Sequence, residues 1–303
     1  MFSLEPELSR LRDEGVLAAE PAAALIARER REVVSLYAEL RFLIWGGVMI
    51  IMTGVGIIVA KNIDKLGPIT IAAVIALAAA ACYAFAFIRK RAARASLVVD
   101  YILLLGALLA STDVGYIEHQ FDQRYLLPLI VFHAATAYYF ESRLVLSVAL
   151  GALATYFGIE RRHTFIWDEH SDNSIRAFLC SSIVFAWRFI DQRFHPKSNF
   201  TRVFDHFGTN LAFWGAFLLM TDNDMRVLGC LLAIAIAIAS ATFGVRKREE
   251  TFVIYAWIYG VIALNVLAFD RMHEFGCWFL PLSMVAAIIG LFFTHASLRR
   301  TAT

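Results

Sequence analysis

The chain has 303 residues, of which 59% are hydrophobic and only 18% charged, and its mean hydropathy is +0.63. A water-soluble domain of this size needs more polar surface, so the composition excludes an ordinary soluble enzyme and assigns the excess apolar surface to lipid. The formal net charge of +2 says little as a sum. Its distribution says more, because the charged residues cluster between long apolar runs.

Residues 1–41 read as a cytoplasmic helical hairpin. A short amphipathic helix carries Leu4, Leu8 and Leu11 on one face and stops at Gly15. A second helix starts near Glu20 and Pro21, because proline is tolerated in a first turn, and runs through the charged stretch from Arg28 to Glu32. Its mixed-charge face reads as solvated; the alternative is a docking surface for a cytoplasmic partner. The acidic residues ahead of the first apolar run give no pattern of a cleaved secretory signal.

Ten apolar runs follow, judged against the roughly 20 residues that span a bilayer core. They are Leu43–Ala60, Pro68–Ile88, Leu97–Ile117, Tyr125–Phe140 and Leu144–Ile159, then Ile175–Ile190, Phe204–Met220, Val227–Val245, Phe252–Phe269 and Cys277–His295. The sixth is the weakest, since Arg176 and Arg188 bracket it and both must snorkel outward if it is to span. With the N-terminus inside, 20 of the 28 basic residues fall on the cytoplasmic side and eight outside, as the positive-inside rule requires. The eight basic residues of the outer face meet 12 acidic ones, while the cytoplasmic face, with 20 against 13, is net basic. Removing the sixth helix would put Arg246-Lys247-Arg248 and Arg299-Arg300 outside, so ten crossings with both termini inside are expected, in a bacterial inner membrane.

Helices three and four resemble helices nine and ten. Val99-x-Tyr101, Gly106 and His119-x-Phe121 match Val253-x-Tyr255, Gly260 and His273-x-Phe275 at a constant offset. Leu127-Pro128-Leu129 matches Leu280-Pro281-Leu282 after a one-residue gap. The expected fold is therefore an all-α integral membrane protein built as a parallel tandem repeat. Residues 42–140 form one copy, 141–190 a linker pair of helices, and 204–298 the second copy.

The first half also carries a family resemblance. Leu8-x-x-Leu11-x-x-x-Gly15-Val16-Leu17 leads to Arg41-Phe42-Leu43 and a helix bearing Gly46, Gly47, Gly54 and Gly56. The loop Lys61-Asn62-Ile63-Asp64 and a third helix with Asp100, Gly106 and a Tyr116–Phe121 exit complete the series. This order resembles the bacterial membrane-protein family catalogued as domain of unknown function 2157, well over about the first 160 residues and loosely beyond. The resemblance implies a multi-pass inner-membrane protein and brings no activity, substrate or catalytic residue.

Ionisable side chains inside a span are functional candidates by default. His133 sits near the middle of the fourth helix, as a helix–helix hydrogen-bond partner or as a proton relay. Asp100 lies about one turn inside the third helix, where Arg91 and Arg94 are its expected partners. Asn210 and Asn265 read as interhelical hydrogen-bonding groups, and the Leu-Pro-Leu pairs as breaks that free carbonyls. On the outer face Glu118 and His119 stand at repeat-equivalent positions to His273 and Glu274, an imidazole–carboxylate set that could hold a transition metal if four ligands converged.

The four cysteines form no CxxC pair, and no catalytic, dinucleotide or phosphate-loop motif occurs. No cofactor, enzymatic activity or nucleic-acid partner is expected. The function expected is the movement or sensing of a small solute or ion. The alternative is a non-transporting scaffold that recruits a partner through the N-terminal helices or by self-association.

Overall fold

The computed structural model describes residues 5–29, 36–91, 97–121, 125–158, 170–195, 199–247 and 249–271, together with residues 283, 285, 286, 288–290 and 292. Every regular element among these is helical. The chain divides into two compact units, residues 44–236 and residues 1–43 with 237–303.

In the second of these, α1 (Glu5–Asp13) and α2 (Ala19–Glu29) pack on each other as the expected N-terminal hairpin. Gly15 reverses the chain with φ +72, and the amides of Val16 and Leu17 close back on the Leu11 carbonyl. The end of α10 (Arg226–Lys247) meets α11 (Glu250–Arg271), where the Ser240 hydroxyl donates to the Phe252 carbonyl at 2.8 Å. Most of the tenth apolar run lies outside the described residues.

Residues 44–236 hold most of α3 (Leu36–Leu66), then α4 (Pro68–Arg91), α5 (Leu97–Phe121), α6 (Leu126–Phe140), α7 (Arg143–Tyr156), α8 (His170–Phe194) and α9 (Thr201–Thr221). Three consecutive pairs, α4 with α5, α6 with α7 and α8 with α9, form its main packing units. Close approach is set by small residues: a Cβ on Gly106 would lie 2.9 Å from that of Cys82, so nothing larger than glycine lets α5 sit this near α4. Helix α7, in the segment read as a linker, touches α5, α6, α8 and α9 and buries Val145, Leu146, Ala149 and Leu150 completely. It is the interior of this unit.

Each apolar run that falls on described residues is occupied by a helix, but only four helices there are long and apolar enough to cross a membrane. They are Pro68–Lys90, Val98–Phe121, Arg226–Lys247 and Glu250–Ala268. The expectation of ten is met only to that extent, for identifiable reasons. Of α3 the described apolar stretch is Phe42–Ile58, and α6 and α7 have just 15 and 14 residues. Helix α6 ends where Glu141 turns left-handed (φ 55), and Ser142 accepts from the Val145 amide to start α7. Helices α8 and α9 are diluted by Arg176, Arg188 and Asp191, and by Asp205, His206 and Asn210.

His273, Phe275 and Leu280-Pro281-Leu282, the most specific marks of the duplication, lie outside the described residues. Gly106 and Gly260 each face the preceding helix of their own pair, Gly106 against Ala79 and Cys82, Gly260 against Ala237.

Candidate functional site

His133 is fully buried, and its Nε2 lies 2.9 Å from Ser111 Oγ on α5. Ser111 already donates its hydroxyl proton to the Ala107 carbonyl at 2.9 Å, so the oxygen accepts from Nε2–H. Nδ1 of the neutral ring then has no hydrogen-bond partner in the protein.

The other sequence candidates separate. Asp100 is exposed in the first turn of α5, where a carboxylate suits the helix N-terminus, and Arg94 lies outside the described residues. Asn210 donates to the His206 carbonyl one turn earlier at 2.8 Å. Asn265 donates to the Val261 carbonyl and accepts from the Ser283 hydroxyl at 2.7 Å, which ties α11 to the segment that follows. Glu118 caps α6, since its Oε1 accepts from the Tyr125 and Leu126 amides, 3.0 Å for the latter. His119 is exposed, while His273 and Glu274 fall outside the described residues. Among the described residues no three acidic, histidine or cysteine side chains gather closely enough to hold a metal. Pro128 does not break its helix; it sits in the first turn of α6, where its missing N–H costs no intrahelical bond.

Three carboxylates within or beside the apolar runs are buried: Asp113, Asp191 and Asp205. Asp205 on α9 forms an ion pair with Arg188 on α8, Nη2 to Oδ2 at 3.2 Å with Nε at Oδ1, so Arg188 is neutralised in place and does not snorkel. Asp191 accepts from the Tyr138 hydroxyl at 2.9 Å, and that hydroxyl in turn accepts from Trp187 Nε1 at 3.1 Å.

Asp113 is different. Its residue is 8% exposed, Oδ1 is buried, and that oxygen has no hydrogen-bond partner among the described residues. It lines a cleft of about 590 Å³ between α4, α5 and α6. Each helix contributes one ridge at helical spacing. Ala76, Ala79, Ala80 and Tyr83 come from α4, and the three alanines make the room. Helix α5 offers Ala110, Asp113, Val114 and Ile117, with Asp113 the charged member. Tyr125, Pro128, Leu129 and Phe132 complete the wall from α6. Tyr83 and Phe132 meet edge to face with centroids 5.2 Å apart, and the Tyr83 hydroxyl is a second buried group without a hydrogen-bond partner.

His133 follows Phe132 directly, which places it about 100° further round α6. It meets Ser111 there and does not line the cleft. The signal that could have found Asp113 was its position, eight residues or about 12 Å inside the end of α5.

A helical architecture with four lipid-compatible spans and buried ionisable groups defines an integral membrane protein. Residues 9–146 match the model of the family described as "Predicted membrane protein (DUF2157)", as the sequence pattern suggested, and the cleft lies wholly inside the matched segment. No curated protein and no solved structure matches the chain.

Proposed function

We propose that the chain is a ten-span inner-membrane protein, with both termini cytoplasmic, that binds a small solute or ion in the α4–α5–α6 cleft and moves it or reports its presence. The observation that carries this reading is the buried, unpartnered Asp113 Oδ1 on the wall of an open cleft. A carboxylate at that depth is costly and persists for a use. A scaffold has no need of such a group in such a place. Arg188–Asp205 supports a sixth crossing, since the pair offsets one of the two charges that stood against it. That Gly106 and Gly260 each face the preceding helix of their own pair supports the parallel repeat.

Water access to the cleft tests the proposal. In a variant without the four native cysteines, Ala80→Cys, on the exposed side of the α4 ridge, should react with a charged thiol reagent in reconstituted vesicles. The bulky Ala76→Phe in the same background should block that reaction. A cysteine at position 80 that stays inert to the charged reagent while reacting with a lipid-soluble one would identify a lipid-filled groove and defeat the reading.

A further inference from the structure

We propose that the solute taken by the cleft is a small organic monocation, an ammonium group on an apolar body. This rests on the reading of the cleft as a solute site and names the class of solute. Among the described residues the wall carries one carboxylate, Asp113, and no basic side chain. An anion would meet the carboxylate with nothing to offset it, and a neutral solute would leave the buried charge uncompensated. A divalent metal ion fits no better. Calcium takes six to eight oxygen ligands and magnesium a near-octahedral set, more than the carboxylate of Asp113 and the hydroxyls of Tyr83 and Tyr125 offer together.

An ammonium ion needs less. One carboxylate supplies the counter-charge, and the Tyr83 hydroxyl, without a partner among the described residues, can accept from an N–H where the solute carries one. Tyr83, Tyr125 and Phe132 add aromatic rings, the surfaces that attract cations when water is excluded. The remaining wall is alanine, valine, isoleucine, leucine and proline, and it suits a hydrocarbon body. The volume of about 590 Å³ is in the range of small-molecule sites.

The experiment uses the full chain in lipid nanodiscs, with calorimetric titration of three probes of like shape: benzyltrimethylammonium, its uncharged carbon isostere neopentylbenzene, and benzenesulfonate. The cation should bind at least tenfold tighter than either of the others. Asp113→Asn should abolish that preference while leaving the weak binding of neopentylbenzene unchanged. Tyr83→Phe, which keeps the ring, should retain the preference, and Ala80→Phe should remove all binding. Unaltered melting of each variant shows that it is folded, and if Asp113→Asn does not fold, the unmodified chain's preference for the cation over its isostere, lost with all binding in Ala80→Phe, still decides the matter. Equal binding of the cation and its isostere, insensitive to Asp113→Asn, overturns the cation proposal and leaves the cleft standing. Binding of none of the probes to a protein whose position 80 is labelled from water does the same. Absence of that labelling removes the cleft reading itself.

Discussion

Ser111 and His133 join α5 to α6 through a 2.9 Å contact between Oγ and Nε2, and the direction of that hydrogen bond is fixed from the serine side. The serine proton is committed to the Ala107 carbonyl, so the imidazole must donate. The pair therefore needs a donor at the place of Nε2, not merely a polar side chain at position 133.

That requirement ranks substitutions. His133→Gln carries its amide nitrogen close to the place of Nε2 and should keep most of the stability. His133→Asn reaches only as far as Nδ1 and should behave like His133→Leu, losing about 0.6–2 kcal/mol, the range of hydrogen bonds between membrane helices. Unfolding curves in bicelles separate the three. Equal losses for glutamine and asparagine would show that the contact does not matter. Should His133 relay protons instead, His133→Gln would abolish pH-dependent flux in a folded protein.

Arg188, half-buried, and Asp205, buried, form an ion pair, and each alone is a liability. Arg188→Met or Asp205→Leu should cost about 3 kcal/mol, since one unpaired charge remains among apolar neighbours. The double variant should regain most of that loss, because two apolar side chains of similar volume pack where the ions were. A double variant as unstable as the worse single one would argue that other groups hold these charges.

Glu118→Ala should fray the start of α6 by removing the acceptor for the Tyr125 and Leu126 amides, at a cost of about 1 kcal/mol. Glu118→Gln keeps an acceptor and should cost less. Hydrogen exchange at those two amides is the direct measurement. Protection unchanged in Glu118→Ala would return Glu118 to the pool of free outer-face ligands.

Topology is open to reporter fusions. Fusions after Lys90, Lys197 and Lys247 should read cytoplasmic, and those at Asp64, Asp168 and Asp222 periplasmic. A cytoplasmic reading at Asp222 would mean that α8 does not cross, whatever its pairing with Asp205.

Hydropathy locates the helices well because a long apolar run terminated by charge leaves few alternatives. It stops short at α3, which runs on past Lys61 and Asp64 until Gly67 takes φ +71 ahead of Pro68. Charge at a span's end does not stop a helix; a residue that abandons helical backbone does. The site is less legible, because it depends on which faces of three helices meet. Nearness to the end of a run puts Asp113 with the outer loop, although its ridge faces inward. The pairings do leave a trace. In an antiparallel hairpin, residues at similar distances from the turn lie near one level, and Ser111 with His133 and Arg188 with Asp205 each lie within three residues of such a match. Searching apolar runs for polar partners mirrored about each loop would have found both.

The brevity of α6 has a consequence for the lipid around it. Fifteen residues make a rod about 22 Å long, against a hydrocarbon thickness of about 30 Å. Helix α7 is as short but is wrapped by other helices, whereas Leu127, Val131, Phe132 and Tyr139 leave α6 with an outer flank. A crossing at α6 draws the headgroups inward by about 4 Å on each side, a dimple that costs fractions of a kcal/mol per Å. The dimple brings interfacial water towards the rim of the wall that carries Asp113. Bilayer thickness thus becomes a variable of the site: a thin membrane wets its rim, and a thick one strains the hairpin that forms it.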